Sequence, residues 1–132
     1  MTRAADVMTE RPASVSPETT LASAVRMLEE LDIRHLPVVN EAGELVGMLS
    51  DRDLRGTMGA SEGSRPPPSA RIVDLMNGDV VQASPDDDLS EIAELIVDNR
   101  IGAVPIVDAR GVLVGIVSYV DVLRSMTESR RS

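Results

Sequence analysis

With 132 residues, the chain has room for one compact domain or two very small ones, and a half-length unit alone would be marginally stable because it buries little of its surface. The formal net charge of −9 and the pI of about 4.5 argue against a nucleic-acid partner and against an anionic membrane surface, because both bind a basic face. The chain has no cysteine, which excludes disulfides and thiolate metal sites, and its single aromatic residue is Tyr119, so a bound purine would lie between aliphatic side chains.

The first half of the chain alternates strand-like and helix-like patterns. Apolar residues from Leu21 to Leu31 recur every three or four positions, which predicts a helix. Ser16 and Pro17 precede it, and they predict an N-cap followed by proline at the first helical position. Pro37 indicates that its strand starts there or lies at an edge. In chain order we expect a helix over 3–8, a strand over 13–16, a helix over 18–31, strands over 36–39 and 45–49 joined by a turn at 40–43, and a helix over 51–58.

The second half of the chain repeats the first without a gap. A linker rich in glycine, serine and proline covers residues 59–70. Identical residues then recur at a separation of 68 positions, too often for chance. The sequence predicts repeats over 1–58 and 71–126, followed by a tail over 127–132 that frays. The identical pairs include Arg3 and Arg71, Met8 and Met76, Pro17 and Pro85, Pro37 and Pro105, Gly47 and Gly115, Ser50 and Ser118, and Asp53 and Asp121.

Each repeat ends in the pattern Gly-x-x-Ser-x-x-Asp, at Gly47–Asp53 and at Gly115–Asp121. Taken alone, this pattern is typical of a capping box, in which the serine accepts from a helix amide and the aspartate reaches back. The same arrangement could bind a nucleotide, because amides at a helix start attract phosphate and the aspartate can accept from both ribose hydroxyls. The glycine would let a ligand approach the strand backbone. Both interpretations are open on these residues.

The two copies in register resemble a tandem pair of CBS domains, also called a Bateman module. The resemblance rests on the methionine near each repeat start, the Ser-Pro pairs, the runs Ile33–Val39 and Ile101–Val107, and the two Gly-x-x-Ser-x-x-Asp endings. It covers nearly the whole chain except the linker and the tail. It implies an α/β (α+β) fold, with two β-α-β-β-α repeats packed about a pseudo-two-fold axis. The family usually forms flat dimeric discs and senses adenosine compounds, so the expected ligand is AMP, ADP or ATP, with S-adenosylmethionine or NAD also possible.

The resemblance also implies two ligand clefts. In the family, each cleft combines the Gly-x-x-Ser-x-x-Asp of one repeat with the opening strand of the other. We therefore expect site A to contain Met48, Ser50, Asp53, Val80 and Val81, and site B to contain Pro12, Ala13, Ile116, Ser118 and Asp121.

Basic residues accompany these sites in one repeat only. Arg34 and His35 hold the positions from which basic residues of the family reach a phosphate, whereas Gly102 and Ala103 replace them in the second repeat. Arg52, inside the first motif, is a third candidate for a phosphate contact. An exposed strand-end histidine and a surface ion pair are the alternatives for His35 and Arg52. The one-sided charge predicts two unequal sites.

Other polar clusters have simpler explanations. Asp86–Asp88 suit the first turn of a helix that begins at Pro85, because acidic residues favour the positive end of a helix dipole, so no metal site is predicted. Methionines such as Met27 and Met76 are most simply core filler. The single histidine has no obvious catalytic partner.

We therefore expect a non-catalytic CBS pair that binds an adenosine compound, requires no cofactor, forms a homodimer and signals to a separate, unidentified effector protein. The alternative is a protein-interaction or assembly module with vestigial ligand clefts. An enzyme would need a hydrolytic or metal site that the sequence does not assemble. No apolar run approaches the roughly 20 residues of a membrane span, and the first residues lack a signal-peptide pattern, so we expect a cytoplasmic protein.

Overall fold

The chain divides into two compact units. Unit A comprises Ala13–Val80, and unit B comprises Met1–Pro12 together with Val81–Ser132. Both units contain helices and antiparallel strands, which confirms the α+β class. The structure is a computed structural model that describes residues 2–52, 54, 66–76 and 78–131, with side chains described as far as residue 128.

Most of the predicted elements are confirmed, including both long apolar helices and four strands. Residues 51, 52 and 54 are helical, as predicted for a helix over 51–58, and the rest of that helix and most of the linker lie outside the described residues. The named elements are α1 (Ala4–Val7), β1 (Thr9–Glu10), α2 (Leu21–Leu31), β2 (His35–Val39), β3 (Leu45–Ser50), a 3₁₀ turn (Ile72–Asp74), α3 (Leu89–Asn99), β4 (Ala103–Val107), β5 (Leu113–Ser118) and α4 (Tyr119–Arg131).

The sheet of unit A consists of β2 and β3 in antiparallel register. The strand predicted over 13–16 is wrong, because the structure has only a parallel bridge from Val15 to Val38 there. Pro37 lies in the middle of β2, and its carbonyl accepts from the Val15 amide at 3.0 Å. Since the nitrogen and carbonyl of one residue share a side of the strand, the missing proline N–H lies on the edge side of β2, away from β3. The core comprises Val15, Leu21, Ala24, Leu28, Leu36, Val38, Leu49, Leu54 and Ile72.

The sheet of unit B has the order β1-β5-β4, with antiparallel pairing throughout. Ala83 forms the parallel bridge to Ile106, as Val15 does to Val38 in unit A. α3 packs against α4 and β4, and α4 packs against β5. α1 contacts α4 and β5, and its Ala4 and Ala5 amides donate to the carbonyls of Asp87 and Pro85. The core comprises Ala4, Ala83, Leu89, Ile92, Val104, Ile106 and Val117.

Each unit includes a short segment from the opposite sequence repeat, here called the exchanged segment: 71–80 in unit A and 1–12 in unit B. Ile72, at the start of the second repeat, is fully buried in the core of unit A, and its counterpart Ala4 is fully buried in unit B. The Leu21 amide donates to the carbonyl of Ala70 at 2.8 Å, and the Leu89 amide donates to the carbonyl of Thr2 at 2.9 Å. The compact units therefore interleave the two sequence repeats.

The predicted start of the first long helix is wrong. α2 begins at Leu21, and Thr20 is its N-cap, because the Thr20 hydroxyl accepts from the Ser23 amide at 3.2 Å. Ser16 instead closes a turn by accepting from the Thr19 amide at 3.1 Å. The amides of Leu21 and Ala22 donate to the carbonyls of Ala70 and Pro68 at the end of the linker, so the helix start is fixed by residues about 50 positions away.

The chain end is also more regular than predicted. The tail expected to fray after Met126 continues α4 as far as Arg131. The segment contains neither glycine nor proline, so nothing in its backbone interrupts the helix. The Thr127 hydroxyl donates to the carbonyl of Arg124 at 2.8 Å, which is compatible with the helical turn.

Candidate functional site

Junction A is the place in unit A where β3 ends, the following helix starts and β2 begins. His35 lies directly opposite Ser50 in the β2–β3 ladder. The Asp51 amide donates to the carbonyl of Arg34 at 2.7 Å, which ties the start of the helix to the start of β2. Arg34 and Arg52 are exposed and His35 is half-buried. The strand pairing therefore brings Arg34 and His35 close to Ser50, and Arg52 follows Ser50 by two residues in the chain.

Junction B is the corresponding place in unit B. Ala103 lies directly opposite Ser118 in the β4–β5 ladder. The Tyr119 amide donates to the carbonyl of Gly102 at 3.0 Å, the counterpart of the Asp51 bond at junction A. The two junctions thus share one backbone arrangement and differ in their side chains.

Ser118 and Asp121 form a complete capping box at the start of α4. The Asp121 carboxylate accepts from the Ser118 amide at 2.8 Å and from the Ser118 hydroxyl at 3.1 Å, and the Asp121 amide lies 3.3 Å from that hydroxyl. The capping interpretation is confirmed for this copy, and it holds the serine and the aspartate together at the helix N-terminus. Asp53, the counterpart of Asp121, lies outside the described residues.

Met48 and Ile116 share a strand face with the motif serines. Each lies two residues before its serine, and side chains two apart on a strand point to the same side. Met48 and Ile116 are half-buried, as are Ser50 and Ser118. The same face therefore offers an aliphatic or thioether surface next to a hydroxyl, which suits the flat ring face of a purine beside a polar sugar.

The four residues predicted beside the base lie where the chain passes from one unit to the other. Pro12 ends the first segment of unit B and Ala13 begins unit A, while Val80 ends unit A and Val81 resumes unit B. All four are half-buried. Val80 thus belongs to the unit of site A and Pro12 to the unit of site B, whereas Val81 and Ala13 belong to the opposite unit. Their role beside a base stays a prediction.

The motif glycines serve packing and not ligand approach. A Cβ built on Gly47 would overlap the sulfur of Met76, and one built on Gly115 would overlap the sulfur of Met8. The expectation that these glycines open the strand backbone to a ligand is therefore wrong on the described geometry. In each unit the methionine comes from the opposite sequence repeat, so the glycine makes room for the exchanged segment.

The aspartates at 86–88 have local structural contacts, and the helix predicted to begin at Pro85 begins at Leu89. Asp88 is the N-cap of α3 and accepts from the Ser90 amide at 3.1 Å. Asp87 accepts from the Ser84 amide at 2.8 Å, and Asp86 lies 3.6 Å from the guanidinium of Arg3. In the described part of the chain, no group of three histidine or acidic side chains is placed to hold a metal ion.

Sequence reasoning missed the helix caps Thr20 and Asp88 and the fit of each methionine to its glycine. The caps had a detectable signal, because each directly precedes the first residue of the apolar stripe, Leu21 or Leu89. The methionine contacts had none, since Met8 and Gly115 lie more than a hundred residues apart. Within the described ranges, no helix is long and apolar enough to cross a bilayer.

Comparison with known proteins matches both repeats to one family. The sequence model of the family described as CBS domain matches residues 4–59 and 72–128. The CBS domain-containing protein YhcV of Bacillus subtilis is 35% identical over 123 residues, covering 92% of this chain and 83% of YhcV. The homoserine O-acetyltransferase of Methanococcoides burtonii is 32% identical over 123 residues, and this chain spans about a quarter of its length.

Solved structures of CBS proteins are also similar to this chain. CBSX2 in complex with AMP has a TM-score of 0.86 and 27% identity, with 97% of this chain and 98% of that chain covered. The CBS domain pair of protein MJ0100, in complex with 5′-methylthioadenosine and S-adenosyl-L-methionine, has a TM-score of 0.86 and 26% identity, with the same coverage. Both are similar to this chain over nearly its whole length.

Proposed function

The chain belongs to the CBS domain family, and we propose that it is a non-catalytic regulatory module that binds adenosine compounds of the AMP, ADP and ATP class. One observation carries the proposal. Each repeat builds the same strand-to-helix junction, tied by matching bonds from Asp51 to Arg34 and from Tyr119 to Gly102. Structural relatives of that fold were crystallised with AMP and with 5′-methylthioadenosine and S-adenosyl-L-methionine.

The chemistry of the junction suits a ribose with a 5′ substituent. Amides at a helix start attract a phosphate or another 5′ group. The Ser118 hydroxyl can turn from Asp121 to such a group, because the Ser118 amide still holds that carboxylate. The Asp121 carboxylate has two oxygens, and the capping bonds from Ser118 both go to one of them, Oδ2. Oδ1 can therefore accept from a ribose hydroxyl while the cap is kept, since an ionised carboxylate has about four acceptor positions. The purine would lie against Ile116 at junction B and Met48 at junction A.

The test is thermal unfolding of the purified protein with AMP, ADP, ATP, S-adenosylmethionine or NAD. A ligand that binds only the folded state stabilises it by about 2.7 kcal/mol at a concentration of 100 Kd, which raises the Tm by several degrees. Replacement of Asp53 and Asp121 together by Ala should abolish the response. No shift with any of the five compounds would overturn the proposal.

A matched control separates ligand loss from loss of stability. Asp88→Ala removes an N-cap of α3 in the same unit as Asp121 and lowers the free energy of unfolding by about 1 kcal/mol. Each variant is compared with its own ligand-free Tm. Asp88→Ala should unfold at lower temperature and still respond to ligand, whereas the Asp53 and Asp121 double variant should not respond.

A second candidate function is a protein-interaction or assembly module, and the outer face of α4 favours it. Tyr119, Leu123 and Met126 recur at helical spacing and are 43%, 56% and 58% exposed. An exposed apolar stripe of this kind is typical of a helix that packs against another chain. Leu123→Glu should therefore lower the mass measured by sedimentation if the protein is the predicted homodimer. An unchanged mass would remove this support.

Regulation by this module requires a receiver of the signal. We propose that ligand binding changes the affinity of the chain for a separate effector protein, and a cytoplasmic location and the flat homodimer stay predictions from the sequence. YhcV, which this chain covers over 83% of its length, is a relative of similar size, whereas the enzyme relatives carry the match within a much longer chain.

A further inference from the structure

The two junctions share a backbone but differ in charge. At junction A, Arg34 precedes β2 and Arg52 lies in the first turn of the helix, and both side chains are exposed. His35, a group that can be protonated, lies across from Ser50. Asp51 contributes one opposing charge at the same place, and the sequence adds the motif aspartate Asp53, as it adds Asp121 at junction B. Junction A thus offers two permanent cations and a histidine around the helix N-terminus.

The same four positions at junction B carry no charge. Gly102 replaces Arg34, and Ala103, which is 5% exposed, replaces His35. Tyr119 and Val120 replace Asp51 and Arg52, and they are 43% and 41% exposed. The surface around the start of α4 is therefore apolar where that of junction A is ionic.

Charge decides which 5′ substituent each junction can accept. A phosphate at junction B would face the Asp121 carboxylate, which lies in the first turn of α4, without a cation at the four compared positions. At junction A, a phosphate would meet Arg34 and Arg52, which can donate charge-assisted hydrogen bonds to its oxygens. An uncharged 5′ group at junction B would instead cover the exposed carbons of Tyr119 and Val120, which favours binding by burial of apolar surface.

We infer that the two junctions select different ligand classes: junction A takes an adenosine 5′-phosphate, and junction B takes an adenosine compound with an apolar, uncharged 5′ group. The inference rests on the proposed function, because it assigns a ligand class to each of its two sites. Two exposed cations close in sequence to junction B would favour a phosphate there and so oppose this inference. Arg100 is the C-cap of α3, and Arg124 lies one turn beyond Val120 on α4.

Methyl NMR of the whole protein can observe each junction separately. The Met48 methyl reports on junction A and the Ile116 methyls on junction B, and Met48→Leu and Ile116→Val variants assign the signals. AMP should shift the Met48 signal at a concentration at least tenfold lower than the concentration at which it shifts the Ile116 signal. 5′-Methylthioadenosine should show the opposite order.

The outcomes separate failure of the inference from failure of the proposed function. If neither compound shifts either methyl group, the chain does not bind adenosine compounds and both proposals fall. If both compounds shift both signals at similar concentrations, or if AMP reaches Ile116 first, the chain binds adenosine compounds and the selectivity is wrong.

A substitution pair tests the cause of the selectivity. Arg34→Ala should weaken AMP binding at junction A at least tenfold and leave 5′-methylthioadenosine binding at junction B unchanged. Arg26→Ala removes the same charge from an exposed position of α2 and should alter neither. Equal AMP affinity in Arg34→Ala and Arg26→Ala would overturn the inference. AMP binding at junction B that Arg100→Ala abolishes would do so as well, because a cation outside the compared positions would then recruit phosphate.

Discussion

Units A and B share an antiparallel strand pair and a strand-to-helix junction, yet their packing and ion-pair contacts differ in closeness and their junctions differ in charge. Both bury one residue of the exchanged segment, but unit A buries Ile72 where unit B buries the much smaller Ala4. The ion pair beside that residue is tight in unit A and loose in unit B. The repeat thus fixes where contacts occur, whereas the individual side chains decide how much each contact stabilises.

This comparison also separates structural from functional roles. Positions that are identical between the repeats, such as the motif glycines and the methionines opposite them, carry the packing of both units. Positions that differ, such as Arg34 against Gly102, lie at the junction surface. At the junctions such differences are the basis of the proposed ligand selectivity, whereas the buried difference between Ile72 and Ala4 affects stability.

The largest loss of folding stability is expected from Ile72→Ala. Ile72 is fully buried in unit A, and loss of a buried isoleucine side chain costs about 2–5 kcal/mol, because a cavity remains. Hydrogen exchange should accelerate in α2, β2 and β3, although residue 72 belongs to the second sequence repeat. Val73→Ala, at a position 44% exposed, is the control and should change little. Faster exchange in α3 and β4 alone would show that the segments are not exchanged.

An intermediate loss of folding stability is expected when a motif glycine is replaced by alanine, and the loss should be larger in unit B. A Cβ at Gly115 would lie 2.9 Å from Met8 Cγ and 3.2 Å from Met8 Cβ, atoms close to the backbone that cannot swing away. At Gly47 the corresponding contacts are 3.1 Å to Cγ and 3.3 Å to the mobile Cε of Met76. Gly115→Ala should therefore cost about 1–3 kcal/mol in urea unfolding, and Gly47→Ala less.

A double-mutant cycle identifies the partner of each glycine. Gly115→Ala should show a coupling energy with Met8→Ala and none with Met76→Ala, because residues in contact couple and distant ones add. Coupling between Gly115 and Met76 would instead show that Met76 packs against Gly115 in unit B, and it would refute the exchange of segments between the units.

The smallest effect is expected from the ion pairs. Arg71 and Glu18 lie 2.6 Å apart, and their side chains are 63% and 66% exposed, so Arg71→Ala should cost below about 1 kcal/mol. Arg3→Ala should cost less, since its pair is 3.6 Å apart. Both effects should vanish in 1 M salt, where the Debye length is about 3 Å. A loss in Arg71→Ala that persists at high salt would indicate that the arginine stem contributes by packing.

The local parts of the fold could be predicted from the sequence because local residues determine them. The turn after β2 is an example, since Asn40 accepts from two nearby amides and Gly43 has a φ of +84°. The start of α2 could be predicted only in part, because its cap Thr20 directly precedes Leu21, whereas the carbonyls of Pro68 and Ala70 that accept from its first amides are distant in sequence. The exchange itself has no sequence signal, since repeats in register align equally well whichever unit holds each opening segment.

In the candidate site, too, the features set by nearby residues could be predicted from the sequence and those set by distant residues could not. The motif serines, Met48 and Ile116 fall on shared strand faces because the period of a strand is two residues. The closeness of Arg34 to Ser50 depended on the family resemblance, and the β2–β3 register accounts for it. The role of Gly47 was misjudged, since the residue that fills the space beside it lies 29 positions later, beyond the linker.

The central claim is that this chain binds adenosine compounds, and native mass spectrometry of the purified protein tests it most directly. The account predicts mass increments that match an adenosine compound, up to two per chain when AMP and 5′-methylthioadenosine are both added. A spectrum of unliganded protein after addition of AMP, ADP, ATP, S-adenosylmethionine and NAD, each at millimolar concentration, would contradict it.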